Sequence, residues 1–284
     1  MPSTVPQTNY HIGENEDILR LFKLRNATTC CGYLLPVLRE LPPDFKLLDV
    51  GCGPGSITFD LARMFPRAKI IGIDQSASVI EQNKVNIAKI APGSDIQFRV
   101  GNILQPDEFL SAEEIGSFDM VHEHTTLIHI PDNVEALRQM KRISKPDGII
   151  ASRNGDLRSQ IIYPHCKEYQ EFINALYALD GSDIETGRKI ISKAIQAGWA
   201  REQIQVSTSV LMINTPEERA LFATSMLNNL ADAESDISKG AETLGYTEEK
   251  LRAVKENMEQ FRDAQDGWRL VICCEIICRN VLKL

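Results

Sequence analysis

The chain has 284 residues, 43% hydrophobic and 25% charged, the balance of an ordinary soluble globular protein built as one large domain or a domain with a subdomain. A formal charge of −8 and the lack of any basic stripe exclude a nucleic-acid backbone as partner, because phosphate contacts need clustered Lys and Arg. No apolar run is long enough to span a bilayer, and the opening MPSTVPQTNYHIGENED has no apolar secretory core, so membrane insertion is not expected and cytoplasmic residence is. The seven cysteines include the adjacent pairs Cys30-Cys31 and Cys273-Cys274 but no C-x-x-C, and no histidine stands at a ligand offset from them. They read as buried reduced thiols, and no metal site is expected.

In chain order, Glu16 to Leu41 carries apolar residues at helical spacing and predicts a helical entry region, closed by Pro42-Pro43. Strand and helix signals then alternate. Lys46–Val50, Lys69–Ile73, Ile96–Val100, Phe118–His122 and Ile149–Arg153 predict strands. Between them, Ser56–Met64, the segment from Ser76 to Ile90 and the one opened by the D-x-x-E pattern of Asp132 and Glu135 predict helices. Short connections between alternating strands and helices imply a doubly wound, mostly parallel sheet with helices on both faces. Further on, Tyr163–Ala178 and Glu185–Ala197 predict helices, and Ile204–Ile213 predicts a strand. Thr215-Pro216-Glu217-Glu218 is a capping box opening a helical stretch to about Arg262, and Leu270–Val281 predicts the last of seven strands. The helical stretch is long for a connector and reads as a lid over a cleft, an extra packing layer being the alternative.

The most informative segment is Leu47-Leu48-Asp49-Val50-Gly51-Cys52-Gly53-Pro54-Gly55, with Asp74 about twenty residues on. A strand ending at glycines lets a cofactor lie against bare backbone, and a later acid can hold ribose hydroxyls. The third glycine falls one place too early for G-x-G-x-x-G, and Pro54 removes an N–H that a pyrophosphate would need. An adenosyl cofactor without phosphates fits better than a dinucleotide.

These motifs, in order, resemble the class I S-adenosylmethionine-dependent methyltransferases, in particular the UbiE-like branch that acts on small molecules. The match is carried by YLLPVL, LLDVGCGPGSIT, IIGIDQSASVIEQ and FDMVHEHTTLIHIPDNVEALRQMKRISKPDGII, from about Tyr33 to Arg153. The resemblance implies a Rossmann-like seven-stranded sheet and S-adenosylmethionine as methyl donor, with S-adenosylhomocysteine as product and no metal. It divides the chain into an entry region over 1–43 that covers the cofactor and a methyltransferase domain over 44–284, with 215–265 as a helical lid. Carried over, Gly51, Cys52 and Gly53 would approach the methionine portion. Asp49 would order that loop, Asp74 would accept from both ribose hydroxyls, Gln75 and Ser76 would follow at the adenine edge, and Asn102 and Ile103 would hold the adenine. Many relatives have Asp at the place of Asn102, and an amide oxygen can still accept from the adenine amino group. Tyr10, His11 and Arg25 could close over the cofactor, with Arg25 either pairing with its carboxylate or remaining a solvated arginine.

Methyl transfer from a sulfonium mainly requires alignment, and a base only where the acceptor must lose a proton. The candidates for that base are His124 first and His122 second, at the carboxyl end of a strand where ligand crevices open. The backbone of His122 would meet the cofactor. His129 reads as a helix-entry residue. The expected activity is methylation of a small molecule, in natural-product or quinone-like metabolism. Two alternatives stand beside it: an S-adenosylmethionine-binding protein that transfers no methyl group, and a nicotinamide-dependent oxidoreductase disfavoured by the glycine spacing.

Overall fold

The computed structural model describes residues 20–22 and 25–281. The segment that carries Tyr10 and His11 lies outside them. The entry region is not one helix. Asn26 restarts the chain by accepting the Thr29 N–H at its side chain, giving a short α1 (Ala27–Cys30) and, after a turn, α2 (Leu35–Glu40).

β1 (Lys46–Val50), β2 (Lys69–Asp74), β3 (Asp95–Val100), β4 (Phe118–His124) and β5 (Ser144–Tyr163) run parallel, while β7 (Trp268–Arg279) lies antiparallel between β5 and β6 (Ile204–Ile213). The sheet order is β3-β2-β1-β4-β5-β7-β6. Neighbouring apolar residues feed opposite faces, which is why the central strands read as continuous apolar runs. Leu47, Ile70 and Met120 pack with α3 (Ser56–Met64) and α4 (Ala77–Ile90) on one face. Leu48, Ile71 and Val121 pack with α5 (Asn133–Ile143) and α7 (Thr186–Gln196) on the other.

β5 departs from the sequence expectation. The sequence places it at Ile149–Arg153, with a Lys-Pro-Asp-Gly stop ahead of it, yet it runs from Ser144 to Tyr163, because Ser144 already pairs with Phe118 of β4 and β7 pairs with the other end far beyond the sheet proper. The register holds from Ile149↔Arg279 to Asp156↔Ile272, slips, and resumes at Ile161↔Leu270. Leu157 to Gln160 therefore face only Val271 across the pair, and this bulge bends the two strands outward. The helix predicted from Tyr163 begins later, as α6 (Lys167–Leu179), because Tyr163 still belongs to the strand.

Above the bent strands stands a helical cap with its own core. α8 (Pro216–Ala231), α9 (Asp236–Thr243) and α10 (Glu248–Asp263) pack with α6 through Phe172, Leu176, Ala223, Leu230, Val254, Met258 and Phe261. The sequence reading placed the first three helices in one segment but did not associate α6 with them. The Thr215 hydroxyl accepts from the Glu218 N–H while the Glu218 carboxylate accepts from the Thr215 N–H, so the capping box is formed. Arg219, buried, ties the start of α8 to the end of the cap by donating to the carbonyls of Ala264 and Gly267.

Candidate functional site

The glycine turn after β1 sits where the carboxyl ends of the parallel strands open, the side on which such sheets bind ligands. Gly51, Gly53 and Gly55 all have positive φ. Gly51 is constrained twice over, since its φ is +66° and a Cβ there would lie 2.2 Å from the Thr126 hydroxyl. At Gly53, with φ +50°, a Cβ would meet nothing within 4 Å, so this part of the turn presents bare backbone to open space. The turn is held from behind. Asp74 accepts from the Gly53 N–H at 2.9 Å and the Ser76 N–H at 3.0 Å, and Asn83 donates to the Gly53 carbonyl at 2.8 Å. Asp74, Asn102 and Cys52 are half-buried around this mouth and Gln75 is exposed. Ile103 is buried in the wall, and the Asn102 side chain accepts from the Leu104 N–H at 3.0 Å. An open backbone cradle with a carboxylate beyond it suits an adenosyl group and supplies few donors for phosphates. Asn83 was not singled out in the sequence, because an amide inside a helix carries no motif.

Beneath the turn lies a sealed polar cluster. Asp49, 3% exposed, accepts from the Thr58 hydroxyl at 2.6 Å and stands 2.8 Å from Nδ1 of His122. Nε2 of His122 is 3.6 Å from the Cys31 sulfur. Burial opposes a charge on this ring, but Cys31 and Asp49 together carry His122 well above the usual imidazole range. Both ring nitrogens are thus engaged inside the protein, which leaves only the backbone of His122 for a ligand. Glu123 points the other way, accepting from the Ser152 hydroxyl, the Asn154 amide and the Thr126 N–H, and burial pushes it up.

His124 returns to the side of His122. Burial first, then the charges of Arg25 and Arg153, hold it well below the usual range, so its ring is neutral. Its Nε2 is 3.5 Å from the Arg153 guanidinium and its Nδ1 is buried without a hydrogen-bond partner among the described residues. Arg153 is itself buried and stands 3.3 Å from Glu275.

Arg153 forms part of the wall of a cavity of about 440 Å³ between the sheet end and the cap. Phe22 and Arg25 close it on one side, with the guanidinium 4.4 Å from the ring centroid, and Tyr169, Tyr177, Phe222 and Met226 close it from the cap. Thr125 also lines it, at φ +58°, a rare conformation for a β-branched residue and one that is common at functional sites. The next residue, Thr126, is the one packed against Gly51. The cradle and the cavity are thus joined across a single peptide unit. Among the described residues no group of three or more His, Cys, Asp or Glu is arranged to hold a metal, and no helix is long and apolar enough to cross a membrane.

A family model described as a methyltransferase domain matches residues 42–230, more than half of the chain. The chain belongs to this family and is a class I S-adenosylmethionine-dependent methyltransferase. An uncharacterised methyltransferase of Schizosaccharomyces pombe is 29% identical over 255 residues, 84% of this chain and 87% of that one. A protein of Aspergillus luteorubrus named "Probable methyltransferase ltbC" is 27% identical, over 98% of this chain and 99% of its own length. The fold is shared with phosphoethanolamine N-methyltransferase 2 of Haemonchus contortus, with a TM-score of 0.56 at 15% identity, over 97% of this chain and 61% of that one.

The electrostatics of this region give a pH dependence. His129, its ring stacked on Tyr177 at 6.0 Å, is lowered to about 3 by burial and by the Arg25 charge. Unfolded, it takes a proton near 6.5; folded, it refuses one until about 3. Its contribution is therefore complete above pH 6.5 and is lost as the pH falls through that window. Urea denaturation of wild type and His129→Gln between pH 4.5 and 6.5 is expected to give the variant the flatter curve, by one proton. Equal slopes mean that the ring protonates in the folded protein.

Proposed function

We propose that this chain transfers a methyl group from S-adenosylmethionine to a small organic acceptor held in the cavity beneath the helical cap. The observation that carries this reading is the Thr125-Thr126 junction, one residue lining the cavity and the next packed against the glycine turn. Gly51, Cys52 and Gly53 would lie along the methionine portion of the cofactor, with the His122 backbone beside them. Asp74 would hold the ribose, and Gln75, Asn102 and Ile103 the adenine. Arg25, which lines the cavity, would pair with the methionyl carboxylate. When bound, the cofactor supplies a methyl group already activated on a sulfonium. The chain's share is to align the acceptor with that methyl and to exclude water, and alignment alone removes roughly 7–11 kcal/mol of barrier.

The region 215–265 is proposed to act as the lid, joined by α6. The size and mostly apolar wall of the cavity suit an acceptor of the natural-product or quinone type. Where the acceptor must lose a proton, His124 is the group proposed to take it, its neutral ring lying 3.5 Å from Arg153, which lines the cavity where His124 itself does not. His122, with both ring nitrogens engaged, is proposed to hold β4 in place.

Incubation with methyl-labelled S-adenosylmethionine and an extract of small metabolites is expected to give a labelled small molecule, and label confined to macromolecules overturns the reading. Asp74→Ala should weaken S-adenosylhomocysteine binding in calorimetry ten- to a hundredfold, from charge-assisted hydrogen bonds of roughly 1.5–3 kcal/mol. Unchanged affinity removes Asp74 from the cofactor site.

The pair Phe222→Ala and Met226→Ala should alter turnover on any accepted substrate while leaving S-adenosylhomocysteine affinity within about twofold. If cofactor binding and thermal stability collapse together, this part of α8 is structural core and not a lid.

For His124→Gln, a lost base should cost a hundred- to ten-thousandfold in rate and abolish the acidic limb of the pH–rate profile, which should lie well below pH 6.5 in wild type. An unchanged profile leaves alignment to account for the whole rate.

A further inference from the structure

The charged side chains of the cavity wall are Arg25, Arg153, Arg269 and Glu218. Two of them are accounted for within the described protein. Arg153 is neutralised by Glu275, whose carboxylate is fixed by the Ser207 and Ser209 hydroxyls at 2.7 and 2.5 Å. Glu218 accepts from the N–H groups of Asn214 and Thr215, both at 3.1 Å, and is committed to the capping box.

Arg269 is different. It is 7% exposed, yet it makes no ion pair with any described carboxylate. Its Nε donates to the Gln160 side-chain oxygen at 2.7 Å, and its guanidinium carbon lies 4.8 Å from the Phe222 ring centroid. An amide oxygen and a ring face orient a guanidinium, but they do not neutralise it. A charge taken this far out of water without a counter-ion is costly, and such groups are found where an anion completes them. The two outer nitrogens make no hydrogen bond within the described protein and are not sealed in, and the residue that carries them lines the cavity. That arrangement presents the two-pronged edge that binds carboxylate or phosphate.

We propose that Arg269 is the anion-recognition residue of the acceptor pocket, and that the acceptor is an organic anion, a carboxylate or a phosphate carried on an apolar body. This rests on the reading of the cavity as the acceptor site. The position of Arg269 also says which end of the acceptor carries the charge. Arg269 pairs with Ile162 in the bent part of the sheet, whereas Arg153 pairs with Glu275 beside Thr125. The two levels lie six positions apart along β7, about 20 Å of strand at 3.4 Å per residue. The anion is therefore a handle held at the cap end, away from the glycine turn, and the methyl group goes to a different atom of the acceptor. Tyr169, Phe222 and Val271 line the space between and fit an apolar or aromatic middle. Gln160 comes from the β5 bulge, so the departure from regular pairing is also what places the partner of Arg269.

The test compares three probes of the same shape, 4-phenylbutanoate, 4-phenylbutyl phosphate and the neutral 4-phenylbutanamide, binding to the full chain saturated with S-adenosylhomocysteine. In calorimetry at least one of the two anions should bind tenfold or more tightly than the amide. The better anion identifies the acidic group. Arg269→Gln should bring that anion down to the level of the amide, and Arg269→Lys should keep part of the preference. Equal binding of anions and amide to wild type overturns the proposal, as does failure of both anions to bind. An anion preference that survives in Arg269→Gln also overturns it and makes Arg269 a residue that merely holds Phe222. Affinity for S-adenosylhomocysteine, measured on the same variants, should not change. Loss of cofactor binding by the wild type would strike at the methyltransferase reading and not at Arg269.

Discussion

The active face depends on one buried carboxylate. Asp49 is the point at which four elements of the chain meet: β1 supplies it, α3 reaches it through Thr58, β4 through His122, and the turn after α1 through His122 and Cys31. In so buried a cluster, removing any one partner would leave the others unsatisfied, and this is what makes a polar cluster specify a single arrangement. That arrangement fixes where β1 ends relative to β4. The Gly51 turn and the Thr125-Thr126 junction inherit their positions from it, because Thr126 donates to the Val50 carbonyl at 3.1 Å and fills the space a Cβ at Gly51 would need.

The parts of the fold legible in the sequence are those in which local chemistry and global position agree. The ends of β6, the capping residues Ser76, Asp132 and Thr215 and the glycine turn all carry their signal within a few residues. β5 was legible only in its sheet portion. Its outer half owes its conformation to β7, more than a hundred residues away in the chain, and Asn154-Gly155-Asp156 reads locally as a turn. The same distance hid the partners in the cavity. Arg153 and Arg269 are ordinary arginines in strands until pairing puts both on one wall, and nothing near Glu275 in sequence indicates that it will neutralise one and leave the other. The His-Glu-His run did signal that polar groups gather at the end of β4. Which nitrogen faces which neighbour is a matter of tertiary packing.

The two ends of the cavity differ in how their charge is managed. Near the glycine turn, Arg153 is held between Glu275 and His124, and the imidazole stays neutral. At the cap end, Arg269 is oriented but not neutralised. Positive charge is thus present at both ends, shared with Glu275 at one and with no described carboxylate at the other. The cap has a core separate from the two cores of the sheet, which contain the strand residues around Asp49. Both Tyr169 and Phe222 belong to that cap and line the cavity, which ties the shape of the cavity to the position of the cap.

A methyl donor activated enough to alkylate an acceptor is activated enough to alkylate the protein, and the glycine turn carries a sulfur atom at the proposed methionine subsite. The thiolate is the reactive form of cysteine. Burial first, then the negative charges of Asp74 and Asp49, push the Cys52 thiol well above its usual range. The two carboxylates that build the site, one ordering the turn from below and the other closing it from the side, are thus also the groups that keep its sulfur protonated. The acid proposed to hold the ribose and the acid that orders the turn together let a small polarisable residue occupy the turn without competing for a methyl group.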